Sequence, residues 1–450
     1  MSLKLEWNYK QYLQTIYSWI KKVNVAHIVL FVLLLHLFVM STPNDGFIFD
    51  EAHYVPAAKE TVSFIAANAE HTPLSKVVIG WSIQAFGDWW FAWRITPVLF
   101  STLSVLLVYL IARQFLNKKH SLFSAAFIGL DMLFFVNGSI AILDAQAVCF
   151  ALAGVWLLLK KRYAYSAIMF AIGVLSKETS ILIFLGAMIY LVISHSHLKV
   201  HKPKLKTLKA VALFSVLFIG IVFGGVWAYD IVYHPSSATV LQTKVMTTVI
   251  VDQNGSAIDT KTQTVNETSS ISITNPIQHF FFAYSYYAGL TPTINPDQKD
   301  FRPAWSWALP LVNAANPPQY YGVSVSSGDK TWSTVSYLSQ VNYPVAVFII
   351  PTLALCFYQG IKRKLEGFSA LWLGWVTATY VPWILFSLFV QKMTFNYYFM
   401  YTSPILAMGA PWFVSKLKVK EQWKTAFLLA LTVVVSIYFM YYFPLNLFRA

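Results

Sequence analysis

Two adjacent carboxylates close an apolar stretch at Phe47-Ile48-Phe49-Asp50-Glu51-Ala52-His53-Tyr54, ahead of a run with helical character over 55–68. Carboxylates placed so can cap a helix and complement its dipole, which is worth about 1 kcal/mol. One of them can equally serve as a general base, because partial desolvation raises a carboxyl group toward its working range. Both readings can hold together. Either Asp50 or Glu51 is the candidate base, with His53 and Tyr54 beside them. A second polar group follows at Glu70-His71-Thr72-Pro73-Leu74-Ser75-Lys76, where a carboxylate, an imidazole and an ammonium share one short stretch. It suits an anionic ligand or a divalent cation, and it also suits a solvated turn.

Three isolated cations complete the set. Arg94, Lys177 and Lys392 each stand at the edge of an apolar run. They either snorkel to lipid headgroups or, with His71 and Lys76, form a positive ring that binds a lipid-linked phosphate and stabilises it as a leaving group. Asp144 and Asp131 lie in apolar surroundings, where an acid is costly and pairs with a cation or supports a site. Asp144 is expected to orient Arg94 or Lys177. Trp305-Ser306-Trp307 and Tyr320-Tyr321 suit either stacking on sugar faces or an interfacial aromatic belt.

The elements that carry these residues belong to a membrane protein. Hydrophobic residues make up 57% of the 450 positions and charged residues 12%, against about 25% charged in an ordinary soluble domain. Apolar runs recur at 24–42, 91–112, 121–137, 140–159, 163–175, 179–194, 208–229, 341–359, 367–390, 396–414 and 425–443, which makes about eleven helices. The segment 74–86 is apolar but too short to cross, and better suited to lying at the interface. The net charge of +14 is dispersed as Lys and Arg clusters between the runs, a topology signal rather than a nucleic-acid footprint. With the N terminus inside, every basic cluster falls on the cytoplasmic side, and the first apolar run is read as an uncleaved span.

The chain then divides into a membrane module over 1–230 with its first outer loop at about 43–90, an extracytoplasmic region over 231–340, and C-terminal helices over 341–450. Alternating residues around Asn254-Gly255 predict a β-hairpin. Asn137, Asn254 and Asn266 stand in glycosylation sequons, the first too close to the membrane for use. Cys149 and Cys356 read as buried free thiols.

In content and order these motifs resemble the GT-C glycosyltransferases that use polyprenyl-phosphate sugars, in particular the protein O-mannosyltransferases and their aminoarabinose-transferase relatives. Asp50 to Tyr54 looks like that family's acidic motif. Glu70 to Lys76 is similar to its His-Pro-Pro-Leu-x-Lys element, or to the Glu-Lys-Pro-Pro-Leu of the lipid-modifying branch. Arg94, Leu143-Asp144, Ser176-Lys177 and Thr394-Phe395-Asn396-Tyr397-Tyr398-Phe399 follow in the family's order. Thr72 replaces the first proline, and the large loop is too short for the β-trefoil of eukaryotic members, which makes the chain more like archaeal or bacterial ones.

The resemblance implies an all-α polytopic membrane protein of GT-C type with outer juxtamembrane helices. It implies an inverting transfer of mannose or a similar hexose from polyprenyl or dolichyl phosphate to a protein Ser/Thr hydroxyl or a lipid or glycan acceptor. Asp50 would deprotonate the acceptor and Glu51 would assist. In the lipid-modifying branch a divalent metal has ligands in the motif matching Glu70, and His279 is a further candidate ligand. The expected partners are the lipid-linked donor, the acceptor and membrane lipids, with no nucleic acid, and the expected place is the cytoplasmic membrane with an extracytoplasmic site. A transporter of lipid-linked sugars, with polar groups through the midplane, and a non-catalytic subunit are the competing readings.

Overall fold

In a computed structural model of the chain, the residues described are 22–42, 46–197, 205–233, 238–251, 257–271, 273, 275–290, 304–309, 320–322, 325–327, 330–332, 336–362, 364–365, 367–390 and 395–445. The apolar runs form helices because a backbone in lipid must satisfy its own N–H and C=O groups. In chain order these are α1 (Val25–Val39), α2 (Glu51–Val62), α3 (Leu74–Phe86), α4 (Trp90–Ala112), α5 (Lys118–Gly129), α6 (Met132–Ser139), α7 (Asp144–Leu159), α8 (Tyr163–Ser176), α9 (Ile181–His197) and α10 (Leu205–Tyr233). After β1 (Ala238–Val251) and β2 (Ala257–Ile271) come α11 (Pro276–Leu290), α12 (Tyr343–Ala346), α13 (Ile349–Ile361), α14 (Phe368–Thr379), α15 (Val381–Leu385), α16 (Ser403–Lys416) and α17 (Glu421–Tyr442).

Among the described residues, five helical stretches are long and apolar enough to cross a membrane: Trp90–Ala112, Ala212–Tyr233, Tyr343–Ile361, Phe368–Val390 and Glu421–Tyr442. The pair α5 and α6, bent by 58°, makes a sixth if counted as one span. The other apolar runs fold as shorter helices, so length alone supports five or six crossings where the runs suggested eleven. The bend has a local cause. Asp131 leaves the helical region and its Oδ1 accepts the Phe134 N–H at 2.9 Å, so it caps α6 rather than continuing α5.

The short apolar segment forms α3 over the residues expected. The preceding helix, expected to run to 68, stops at Val62. Phe64 and Asn68 both take left-handed backbone, at φ 58° and 55°, which ends a helix. The loop that follows folds around Lys76, whose buried Nζ donates to the carbonyls of Ala67, Asn68 and His71.

Most of the helices share one large apolar core, and Ala69, Ile273 and Phe282 form a small separate cluster. Helix α9 lies against α14 with backbone almost touching backbone: a Cβ on Gly186 would come within 2.8 Å of the Trp375 Cα, and one on Gly374 within 2.8 Å of the Gly186 oxygen. Small residues allow such an approach between helices in a membrane. On α1, His36 joins three helices, with Nδ1 2.8 Å from Ser139 Oγ of α6 and Nε2 3.2 Å from Ser101 Oγ of α4. The predicted hairpin is present as the antiparallel pair β1–β2, with Val245 opposite Thr264. Its Asn-Gly turn lies outside the described residues.

Candidate active site

Asp50 stands at the N-cap position of α2, yet its side chain makes no capping hydrogen bond. Among the described residues its carboxylate has no hydrogen-bond or ion-pair partner at all. The residue before it is held against preference: Phe49 has φ 51°, a left-handed conformation that costs a non-glycine residue about 1–2 kcal/mol. Burial raises the Asp50 carboxyl above its ordinary range. The neighbouring Lys177 pulls it back down, Asp144 pushes it up, and His71 and His53 lower it. Asp50 thus has the surroundings of a base, half-buried and facing charges it does not bond.

Glu51 is wholly different. Its Oε1 accepts from Arg94 Nε at 2.8 Å and the Ala141 N–H at 2.7 Å, and its Oε2 accepts from Arg94 Nη2 at 2.7 Å and the Ile48 N–H at 2.8 Å. Arg94 also donates to the Met40 and Gly46 carbonyls. Both side chains are fully buried. The pair ties α2 to α4, to the approach segment 46–48 and to the non-helical link between α6 and α7.

Lys177, just past the end of α8, pairs with Asp144 at the start of α7: Nζ donates to Oδ2 at 2.7 Å, and Oδ1 accepts from the Tyr401 hydroxyl at 2.8 Å. The ammonium also lies 5.9 Å from the centre of the Tyr54 ring and 5.6 Å from that of Tyr397, within cation–π range. Tyr54 in turn reaches the second motif. Its hydroxyl is 2.9 Å from His71 Nε2, and His71 Nδ1 is 3.0 Å from Glu178 Oε1.

The structure therefore brings together Asp50, Tyr54, His71, Asp144 and Lys177, with Glu51 and Arg94 behind them. His53 is exposed on the outside of α2. Lys76 points into the fold, where burial brings its ammonium down to about 8. Lys392 lies outside the described residues. Glu70 is engaged by Asn68 and by the phenol of Tyr286, and His279 by Asp230 at 2.7 Å. Among the described residues no group of three or more His, Cys, Asp or Glu is arranged to hold a metal ion, so the residues present do not fit one and no step is derived through a metal. Trp307 is a core residue packed on Tyr380 and Phe399. Asn137 is buried and donates to the Leu133 carbonyl.

Sequence reasoning assigned no role to Glu178, Tyr401 or Asp230. The first stood next to Lys177, where an acid beside a predicted cation was the available signal; the second lies two residues past the aromatic motif, and Asp230 stands beside no predicted cation.

Residues 70–219 match the family of dolichyl-phosphate-mannose-protein mannosyltransferases. A polyprenol-phosphate-mannose-protein mannosyltransferase of Corynebacterium glutamicum is 29% identical over 139 residues, covering 27% of this chain and 26% of that protein. The match thus spans about a quarter of the curated relative's length. In fold, the chain is similar to the S. cerevisiae protein O-mannosyltransferase Pmt1–Pmt2 complex bound to the sugar donor, with a TM-score of 0.67 and 13% identity over 93% of this chain and 89% of that one. It is also similar to ArnT from Cupriavidus metallidurans bound to undecaprenyl phosphate, with a TM-score of 0.53 and 14% identity over 92% and 69% of the two chains. The oligosaccharyltransferase of Archaeoglobus fulgidus aligns with a TM-score of 0.52 and 13% identity over 94% and 56%.

Proposed function

The chain has the fold of the GT-C superfamily, and from that premise we propose that it is an inverting glycosyltransferase. It moves mannose or a similar hexose from a polyprenyl or dolichyl phosphate to a hydroxyl of a protein Ser/Thr, lipid or glycan acceptor. The observation that carries this reading is the Asp50 carboxylate, the one acid of the cluster without a hydrogen-bond or ion-pair partner among the described residues. Glu51, Asp144 and Glu178 are each paired with a cation or an imidazole. The names of the relatives support the donor class.

Asp50 accepts the proton of the acceptor hydroxyl while that oxygen attacks the anomeric carbon. The bond from that carbon to the phosphate oxygen breaks in the same displacement, so the configuration inverts and the polyprenyl phosphate leaves with the bonding pair. Lys177 is the cation that faces Asp50 most strongly, and it stabilises the charge that grows on the phosphate. Asp144 holds Lys177 in place. Arg94 and Glu51 position the Asp50 segment and do not touch substrate. The reaction is read as extracytoplasmic, at the cytoplasmic membrane; the concentration of these groups at one end of the helices, with the basic clusters at the other, supports that reading.

The test is transfer of labelled mannose from its polyprenyl phosphate to hydroxyl acceptors by the full chain in nanodiscs, with Asp50→Asn beside wild type. Removing a general base is expected to lower transfer by about 10²–10⁴-fold. Equal rates in the two proteins would remove Asp50 as the base.

A further inference from the structure

The Asp144 carboxylate is divided between two donors from opposite halves of the chain. Lys177 Nζ donates to Oδ2 at 2.7 Å, and the hydroxyl of Tyr401, the last residue of the short helical turn Asn396–Tyr401, donates to Oδ1 at 2.8 Å. Tyr401 is at zero exposure, and Asp144 and Lys177 are at 2%. The main chain of Tyr401 is fixed as well. Its carbonyl accepts from Trp375 Nε1 of α14 at 2.8 Å, and the hydroxyl of the next residue, Thr402, donates to that of Thr379 at 3.0 Å. The phenol is thus where the C-terminal helices reach the cation of the site.

An ammonium has three N–H groups. One of those on Lys177 is given to Asp144, and among the described residues the ammonium makes no other hydrogen bond. The Tyr54 and Tyr397 rings stand 5.9 and 5.6 Å from it. A ring face holds a cation more weakly than a charged oxygen does, so two N–H groups stay available to an anion. A buried acceptor that loses its donor is costly. With the Tyr401 hydroxyl gone, Asp144 Oδ1 has no donor among the described residues except the ammonium that Oδ2 already holds. The carboxylate then turns to take a second N–H of Lys177, and one is left.

We propose that Tyr401 is a positioning residue: by occupying Oδ1 it confines Asp144 to a single N–H of Lys177 and leaves the other two for the phosphate of the departing polyprenyl phosphate. The identity of that anion rests on the glycosyltransferase reading, and the role itself on the geometry. Tyr401 does not touch the substrate. It acts through Asp144 and Lys177 alone, so its effect depends on the charge of Asp144, which a role in packing would not.

The full chain in nanodiscs is titrated with undecaprenyl phosphate, and transfer of labelled mannose is followed in parallel. Tyr401→Phe, which deletes the hydroxyl and keeps the ring, is expected to bind undecaprenyl phosphate about tenfold more weakly, the worth of one hydrogen bond to a charged group. Its kcat is expected to fall with the donor KM close to wild type, because the phosphate gains its second charge only as the bond to the sugar breaks. In an Asp144→Asn background no carboxylate competes for the ammonium, and Tyr401→Phe is expected to leave the affinity unchanged there. The same loss in both backgrounds, or no loss in either, overturns the role. If Tyr401→Phe does not fold, the Asp144→Asn pair carries the test: equal affinity with and without the hydroxyl supports the role, and a loss overturns it. Wild type that neither binds undecaprenyl phosphate nor transfers mannose overturns the donor class and the role together, whereas wild type that does both and is matched by Tyr401→Phe overturns the role alone.

Discussion

Arg94 meets Glu51 through two hydrogen bonds, at 2.8 and 2.7 Å, with both side chains at zero exposure. Taking one partner away leaves the other charge buried, which costs about 3–5 kcal/mol. Arg94→Met is therefore expected to lower the unfolding temperature of the detergent-solubilised chain sharply, since the Met40 and Gly46 carbonyls lose their donors as well. Arg94→Lys is expected to recover little, because an ammonium cannot supply the paired donors of a guanidinium. The donor KM of the folded fraction stays at the wild-type value in both. A raised KM with normal stability would instead make Arg94 a phosphate ligand.

In the proposed reaction the acid limb of the pH–rate profile reports Asp50. Burial holds the Asp50 carboxyl protonated to higher pH than an ordinary carboxylate, so transfer is expected to fail, as pH is lowered, above the usual aspartate range of about 4. In the double variant Lys177→Met/Asp144→Asn the sign follows from two opposed effects. Lys177 lowers the group and Asp144 raises it, with Lys177 the larger. The limb is expected to move to still higher pH, read from single-turnover rates.

Lys76 binds three carbonyls of the 67–71 loop, and that loop carries His71. Lys76→Met is expected to cost about 1–3 kcal/mol for the acceptors left unpaired, and to raise hydrogen exchange across 63–73. A rise in donor KM with the loop still protected would place the ammonium on the phosphate after all.

At the crossing of α9 and α14, Gly186→Ala is expected to destabilise by about 1–3 kcal/mol, the usual cost of overfilling a packed contact. Its Cβ would meet the Trp375 backbone rather than a side chain that can swing aside. Thermal aggregation of the variant in detergent, without any change in donor KM, is the expected signature.

The apolar runs, the short helix over 74–86 and the hairpin around Asn254 were legible in the sequence, because each depends on local period, turn chemistry or composition. The early stop of α2 was not. It is imposed by left-handed Phe64 and by a lysine twelve positions further on. Nor was the partition of the ion pairs. Asp144 could be foreseen beside Lys177 or Arg94, but the choice between them rests on where α7, α8 and α4 cross. The pairing of His71 with Glu178 joins residues 107 positions apart, and nothing short of the packed fold brings them together. The same holds for Asp230 and His279.

The two oxygens of Glu51 accept from the N–H groups of Ile48 and Ala141, neither of which belongs to a helix. A peptide N–H outside regular structure and away from water has to find an acceptor, and here a side chain stands where two carbonyls are missing. Glu51 is in effect a length of main chain supplied from the side, splicing the approach segment to the break after α6. A substitution that keeps its negative charge but shortens its reach, such as Glu51→Asp, should therefore behave like a cut in the backbone rather than a conservative change. The second acid of the pair is then a splice and the first the proposed base, neighbours in sequence with nothing in common but their charge.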